Sequence, residues 1–163
     1  MSYPPARYFG EQGQVSGSLR RASQPPDLDT GRGGAVHYLA TSASTSGEYG
    51  LFRWEMGPEP SGPAPHFHRA ISEAFYILTG SVRLFDGAAW VDAEPGDFLF
   101  VPQGGIHAFR NESGAPASML ILFAPGATRE RYFEELVEVA ASGRQLTGDE
   151  WTELYACHDQ FMV

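Results

Sequence analysis

Between residues 35 and 124 the chain is cut into short pieces, each a run of aromatic and branched residues closed by Gly, Pro, Asn or Ser. Such punctuation leaves no room for long helices. Nineteen glycines and twelve prolines in 163 residues fit many short strands joined by tight turns. Strands are expected at 35–41, 49–56, 73–78, 81–85, 88–92, 98–101, 106–110 and 118–124. Asp86-Gly87 predicts a two-residue hairpin turn and Glu94-Pro95-Gly96-Asp97 a further turn. Gly57 to Pro65 holds four prolines and reads as an irregular loop.

That loop delivers the chain to its chemistry. His66 and His68 are two apart, so a strand turns both imidazoles to one face. Glu73 starts the next strand, and a turn through Arg69 to Ser72 brings it back beside the pair. His107 follows the Gly104-Gly105 turn. Imidazole and carboxylate are the side chains that bind first-row divalent ions. His66, His68, Glu73 and His107 together predict one mononuclear metal site. Three nitrogens and one oxygen leave positions open on an octahedral ion, as a catalytic metal requires.

These residues sit in two motifs that resemble the cupin superfamily. Gly96, Pro102, Gly104, His107 and Asn111 match its second motif at every position. His66, His68, Glu73 and Gly80 match the first, which departs only where Pro60 stands for a glycine. From Ala64 to Glu135 the chain is most similar to single-domain cupins such as the bacterial quercetin 2,3-dioxygenases. The features carrying this are Phe75-Tyr76-Ile77, Val82-Arg83-Leu84-Phe85, Pro95-Gly96-Asp97-Phe98 and Arg131-Tyr132-Phe133-Glu134. The resemblance implies an all-β fold, a double-stranded β-helix or cupin jelly-roll barrel. It further implies a metal inside the barrel on His66, His68, Glu73 and His107, a small organic substrate, and a homodimer. The ion would be Fe, Mn, Ni, Co or Zn. The activity implied is a dioxygenase acting on a small aromatic or enol substrate, with Glu73 as catalytic base. The alternatives are an isomerase, cyclase or lyase using the same ion without O₂, or a non-catalytic small-molecule-binding cupin.

The expected organisation is an N-terminal arm over 1–34, the barrel over 35–126, and one or two helices over 127–163 packed on it. Thr128 is placed to cap a helix reaching Ala141, with Tyr132, Phe133, Leu136, Val137 and Ala140 on one apolar stripe. Thr147-Gly148-Asp149-Glu150 is a capping box and predicts a second helix over 148–157. These helices would close one barrel mouth or support a dimer. By strand alternation Phe75, Ile77 and Phe109 follow the ligands and form an apolar substrate wall or, equally, plain core. Asn111 is expected to hold a turn. His37 and His158 are expected to be surface or packed histidines, and the single Cys157 a packed thiol.

A formal charge of −9 argues against nucleic acid and anionic membrane surfaces as partners. One cysteine permits no intrachain disulfide. The N-terminus has no long apolar stretch, so neither a signal peptide nor a membrane span is expected, and the expected compartment is the cytoplasm.

Overall fold

The structure, a computed structural model, describes residues 3–163. The first 24 or so of these, up to residue 26, carry no helix or strand and stand almost entirely exposed. Leu28–Gly31 lies within the expected arm and yet forms β1. It pairs with β2, Gly34–Ala40, across Arg32-Gly33. Both turn residues have positive φ (51° and 81°), the conformation a two-residue hairpin needs. Arg32 gives no sequence signal for it, which is why this strand was not expected.

The remaining strands fall close to the expected positions: β3 Gly50–Met56, β4 His66–Phe67, β5 Ser72–Thr79, β6 Val82–Phe85, β7 Trp90–Ala93, β8 Phe98–Val101, β9 Ala108–Arg110 and β10 Ala117–Ala124. Two helices follow, α1 Arg129–Ser142 and α2 Gly148–Cys157, and then a short strand β11, Phe161–Met162. The Asp86 turn is longer than the two residues expected. Phe85 pairs with Trp90, so four residues make the loop, and the Asp86 carboxylate accepts from the Ala88 and Ala89 amides.

Six antiparallel strands form one sheet in the order β1-β2-β3-β10-β5-β8, and β7-β6-β9 form the facing one. Residues 61–67 run antiparallel to 107–111 through bridges at Ser61–Asn111 and His66–His107. They join β4, and β11 beyond it, to the second sheet. This is a double-stranded β-helix, with the alternation such strands require. In β10, Ala117, Met119, Ile121 and Phe123 are buried while their neighbours are half-buried. Each fully buried Phe or Ile of this kind contributes about 1.5–3 kcal/mol by leaving water.

Phe52 is the hinge between barrel and helices. Its ring meets Tyr38, Phe123 and Phe133 edge-on, at centroid distances of 5.6, 5.8 and 5.3 Å. Phe133 comes from α1 and also packs on Trp54 at 4.9 Å, so α1 closes that end of the barrel. The Thr128 hydroxyl makes no capping bond to α1, contrary to expectation, because its backbone is not extended there. At α2 both bonds of the capping box form. Cys157 is exposed on α2 rather than packed, since that helix buries no residue fully. Among the described residues no helix is long and apolar enough to cross a membrane.

Gly62 meets the need for a glycine that Pro60 cannot. Its φ is 135°, and a Cβ there would overlap the Phe109 carbonyl oxygen. The 57–63 loop can therefore lie flat on β9. Asn111, fully buried, ties that loop down by donating to the Gly57 and Ala115 carbonyls at 2.8 Å each.

Candidate metal centre

Three strands, β4, β5 and β9, with the residues at their ends, bring the four expected side chains to one point. His66 opens β4, His68 follows it, Glu73 is the second residue of β5, and His107 precedes β9. The backbones of His66 and His107 exchange two hydrogen bonds, of 3.0 and 2.9 Å. That pairing sets their rings side by side, 4.4 Å apart. The His68 ring lies 5.1 Å from His66 and 5.3 Å from His107. One donor atom from each of the four residues falls within 4.8 Å of all the others, and all four residues are buried.

Hydrogen bonds fix which nitrogen faces inward. Nδ1 of His66, His68 and His107 lies 2.8, 2.6 and 3.0 Å from the carbonyl oxygens of Ala64, Asp159 and Gly105. A carbonyl only accepts, so each Nδ1 carries hydrogen and donates it. Each ring thus presents Nε2 to the centre, the arrangement a metal-binding histidine needs. Glu73 Oε2 sits 3.0 Å from His68 Nε2 and 2.8 Å from His107 Nε2.

The electrostatics fit a cation at this point. Burial disfavours the Glu73 anion, yet bonds to His107 and His68 outweigh it and hold the carboxyl well below its usual range. Burial and the nearby His107 charge push His66 down to about 4, so it is neutral at neutral pH. Burial also opposes charge on His107, but the Glu73 bond and charge prevail and raise it. The Glu73 carboxylate therefore favours positive charge at this point, which a divalent ion held by three Nε2 atoms and Glu73 would supply.

A cavity of about 460 Å³ opens beside the cluster. Its wall includes His66, Glu73 and Phe109, with Trp54, Ile121, Phe123, Phe133 and Leu136. Phe75 and Ile77 are fully buried in the core; the Phe75 ring packs 5.8 Å from that of His107 and 5.7 Å from that of Phe109. His37 lies on β2 against Arg53, 2.7 Å away. His158 is half-buried, with Nε2 2.7 Å from a Glu135 carboxylate oxygen.

Sequence reasoning missed Asp159, Arg129 and Gln160. Asp159 has φ 55° and works at both ends. Its carbonyl orients His68, and its carboxylate accepts from the Arg69 and Ala70 amides at 3.1 and 2.8 Å. No sequence pattern marks it. Arg129 did carry a signal, because it stands at i with Tyr132 and Phe133 at i+3 and i+4, on the apolar stripe of α1.

A double-stranded β-helix around a buried cluster of three histidines and a glutamate is the architecture of a cupin. Residues 52–123 match the family model described as Cupin domain, and the chain contains that domain. Over 75 residues the chain is 31% identical to a quercetin 2,3-dioxygenase of Bacillus subtilis (strain 168). That stretch is 46% of this chain and 22% of the relative, so the chain spans about a fifth of that curated relative's length. Among solved structures it resembles an RmlC-like cupin from Shewanella frigidimarina NCIMB 400, with TM-score 0.58 and 18% identity over 69% of this chain and 94% of that one. It also resembles a predicted oxalate decarboxylase from Thermotoga maritima, with TM-score 0.57 and 22% identity over 66% and 98%. These two likenesses concern the fold.

Proposed function

We propose that the protein is a metal-dependent dioxygenase acting on a small aromatic or enol substrate. The observation that carries this is the buried cluster with all three Nε2 atoms turned inward, opening on an apolar cavity. The stretch shared with the Bacillus subtilis quercetin 2,3-dioxygenase supports the oxygenase chemistry. Three imidazoles and one carboxylate suit Fe²⁺, Mn²⁺, Co²⁺, Ni²⁺ or Zn²⁺. Such an ion, when bound, lowers the pKa of a substrate hydroxyl and stabilises its anion.

The chain's own residues do the rest. His66, His68 and His107 hold the ion through nitrogens locked by backbone carbonyls. Glu73 lines the cavity as well as the cluster, and once its carboxylate loosens from the ion it takes the hydroxyl proton. Loss of that proton leaves the substrate electron-rich at the carbon that O₂ attacks. Trp54, Phe109 and Phe133 exclude water and hold a flat apolar body. A homodimer is part of the proposal. Tyr76, Phe98 and Phe100 stand exposed on one face of β5 and of the edge strand β8, and a mass of twice 17.8 kDa in solution is expected.

Oxygen uptake by protein loaded with each metal, on a panel of aromatic enols, tests the reading. Uptake with at least one enol is expected. Conversion without uptake would make it an isomerase, cyclase or lyase. Tight binding with no turnover under any metal would make it a binding protein.

A further inference from the structure

Arg129 is the one buried guanidinium among the described residues, at 4% exposure. It lines the same cavity as Glu73 and His66. Its bonds go to neutral acceptors: one nitrogen donates to the His158 carbonyl at 2.8 Å, another to Gln160 Oε1 at 3.3 Å. Its Nε–H is buried with no partner. Aromatic faces surround it, with the ring centroids of Tyr132 and Phe123 4.3 and 5.0 Å away. Rings and carbonyls soften the loss of water around a guanidinium but do not neutralise it. Its place is also unfavourable, because it opens α1, the helix end that already carries partial positive charge. A divalent ion on the cluster would leave the cavity with still more positive charge, since Glu73 supplies only one negative charge in return.

We propose that Arg129 is an anion anchor and that the cavity takes an organic acid: a flat apolar body, a carboxylate on Arg129, and a hydroxyl or enol oxygen turned to the His/Glu cluster. The proposal rests on the reading that this cavity is the substrate pocket, and it narrows the substrate to an acid. A guanidinium offers a planar fork that fits a carboxylate, and such charge-assisted bonds are about twice as strong as neutral ones. Apart from its two neutral acceptors the Arg129 guanidinium has no partner, its Nε–H included. An exposed Arg32–Glu59 pair at 3.2 Å stands on the cavity lining, between the β1–β2 turn and the 57–63 loop, so a ligand enters past charges that cancel.

Calorimetric titration of the full chain, metal-free and metal-loaded, with salicylate and salicylamide tests this. The two differ in charge and little in shape. Salicylate is expected to bind the metal-free protein about tenfold more tightly than the amide. Arg129→Gln should abolish that preference while changing salicylamide affinity by no more than about twofold, and Arg129→Lys should keep part of it. Equal affinity for acid and amide in the unaltered protein overturns the anchor, as does failure of both to bind. So does a preference that survives in Arg129→Gln, or equal losses for both compounds in that variant, which would mark a purely structural arginine. The contrast in the unaltered protein needs no variant to fold. Oxygen uptake on the same samples separates the two ideas: acid preference without turnover of any enol sinks the oxygenase and leaves the anchor. Turnover of neutral enols without acid preference does the reverse.

Discussion

The barrel strands and the C-terminal segment meet at one centre, but they serve it differently. The strands and the residues at their ends supply every atom that would touch an ion, from His66, His68, Glu73 and His107. The segment from Arg129 to Met162 supplies what surrounds them: a carbonyl on His68, caps for the Arg69 and Ala70 amides, a buried guanidinium and one wall of the cavity. The first set defines a chemistry that many barrels can share. The second set decides what fits beside it. The same division governs how the parts respond to change.

The largest expected effect lies on the strand side. His66→Ala or His107→Ala should lower bound metal from about one ion per chain to almost none, with the fold retained by circular dichroism. Full metal in both variants, by elemental analysis, would remove the barrel's claim to the chemistry. Glu73→Gln should cut turnover by about a hundredfold or more while metal content falls much less, if the carboxylate is the base. Unchanged rates would leave Glu73 as a ligand alone. On the other side, ending the chain after Cys157 removes the carbonyl that orients His68. Metal affinity should weaken about 10- to 100-fold, the usual cost of losing an outer partner of a ligating histidine. A competition titration that finds no change would break the comparison, because the tail would then serve only the substrate.

The smallest effect is one of pH on the metal-free protein. His66 titrates at about 4, against 6.5 for a free imidazole. Between those values the unfolded chain binds more protons, so stability falls as pH drops. His107 is raised, so its contribution is complete below 6.5 and fades as pH climbs through its folded value. Glu73 is depressed; its contribution holds above the ordinary carboxylate value and is lost in stronger acid. Urea unfolding should therefore show greatest stability near pH 6 to 7, by about this linkage. A flat profile between pH 4 and 6.5 would deny that His66 is buried and neutral.

The sequence was a good guide where local pattern and burial agree. β10 alternates strictly, and α2 carries a complete capping box, so both were legible. The ligands were legible because their spacing follows strand geometry and is bounded by Gly96, Pro102 and Gly104. β1 was not, because Arg32 adopts a positive φ that side chains rarely take and that only pairing with β2 repays. The four-residue Asp86 loop was hidden by a side chain doing the work of a turn. Asp159 was illegible for a deeper reason. It acts partly through its backbone carbonyl, and every residue has one.

His68 and the carbonyl that holds its ring are 91 positions apart. A growing polypeptide holds all four ligands once residue 107 has emerged, yet His68 gains its carbonyl partner only when Asp159 is in place and β11 has joined β4. An ion on the cluster would therefore be held less firmly until residues 159–162 are in place. Chains ending between residues 110 and 157 should release a bound ion faster than the chain through residue 163 does.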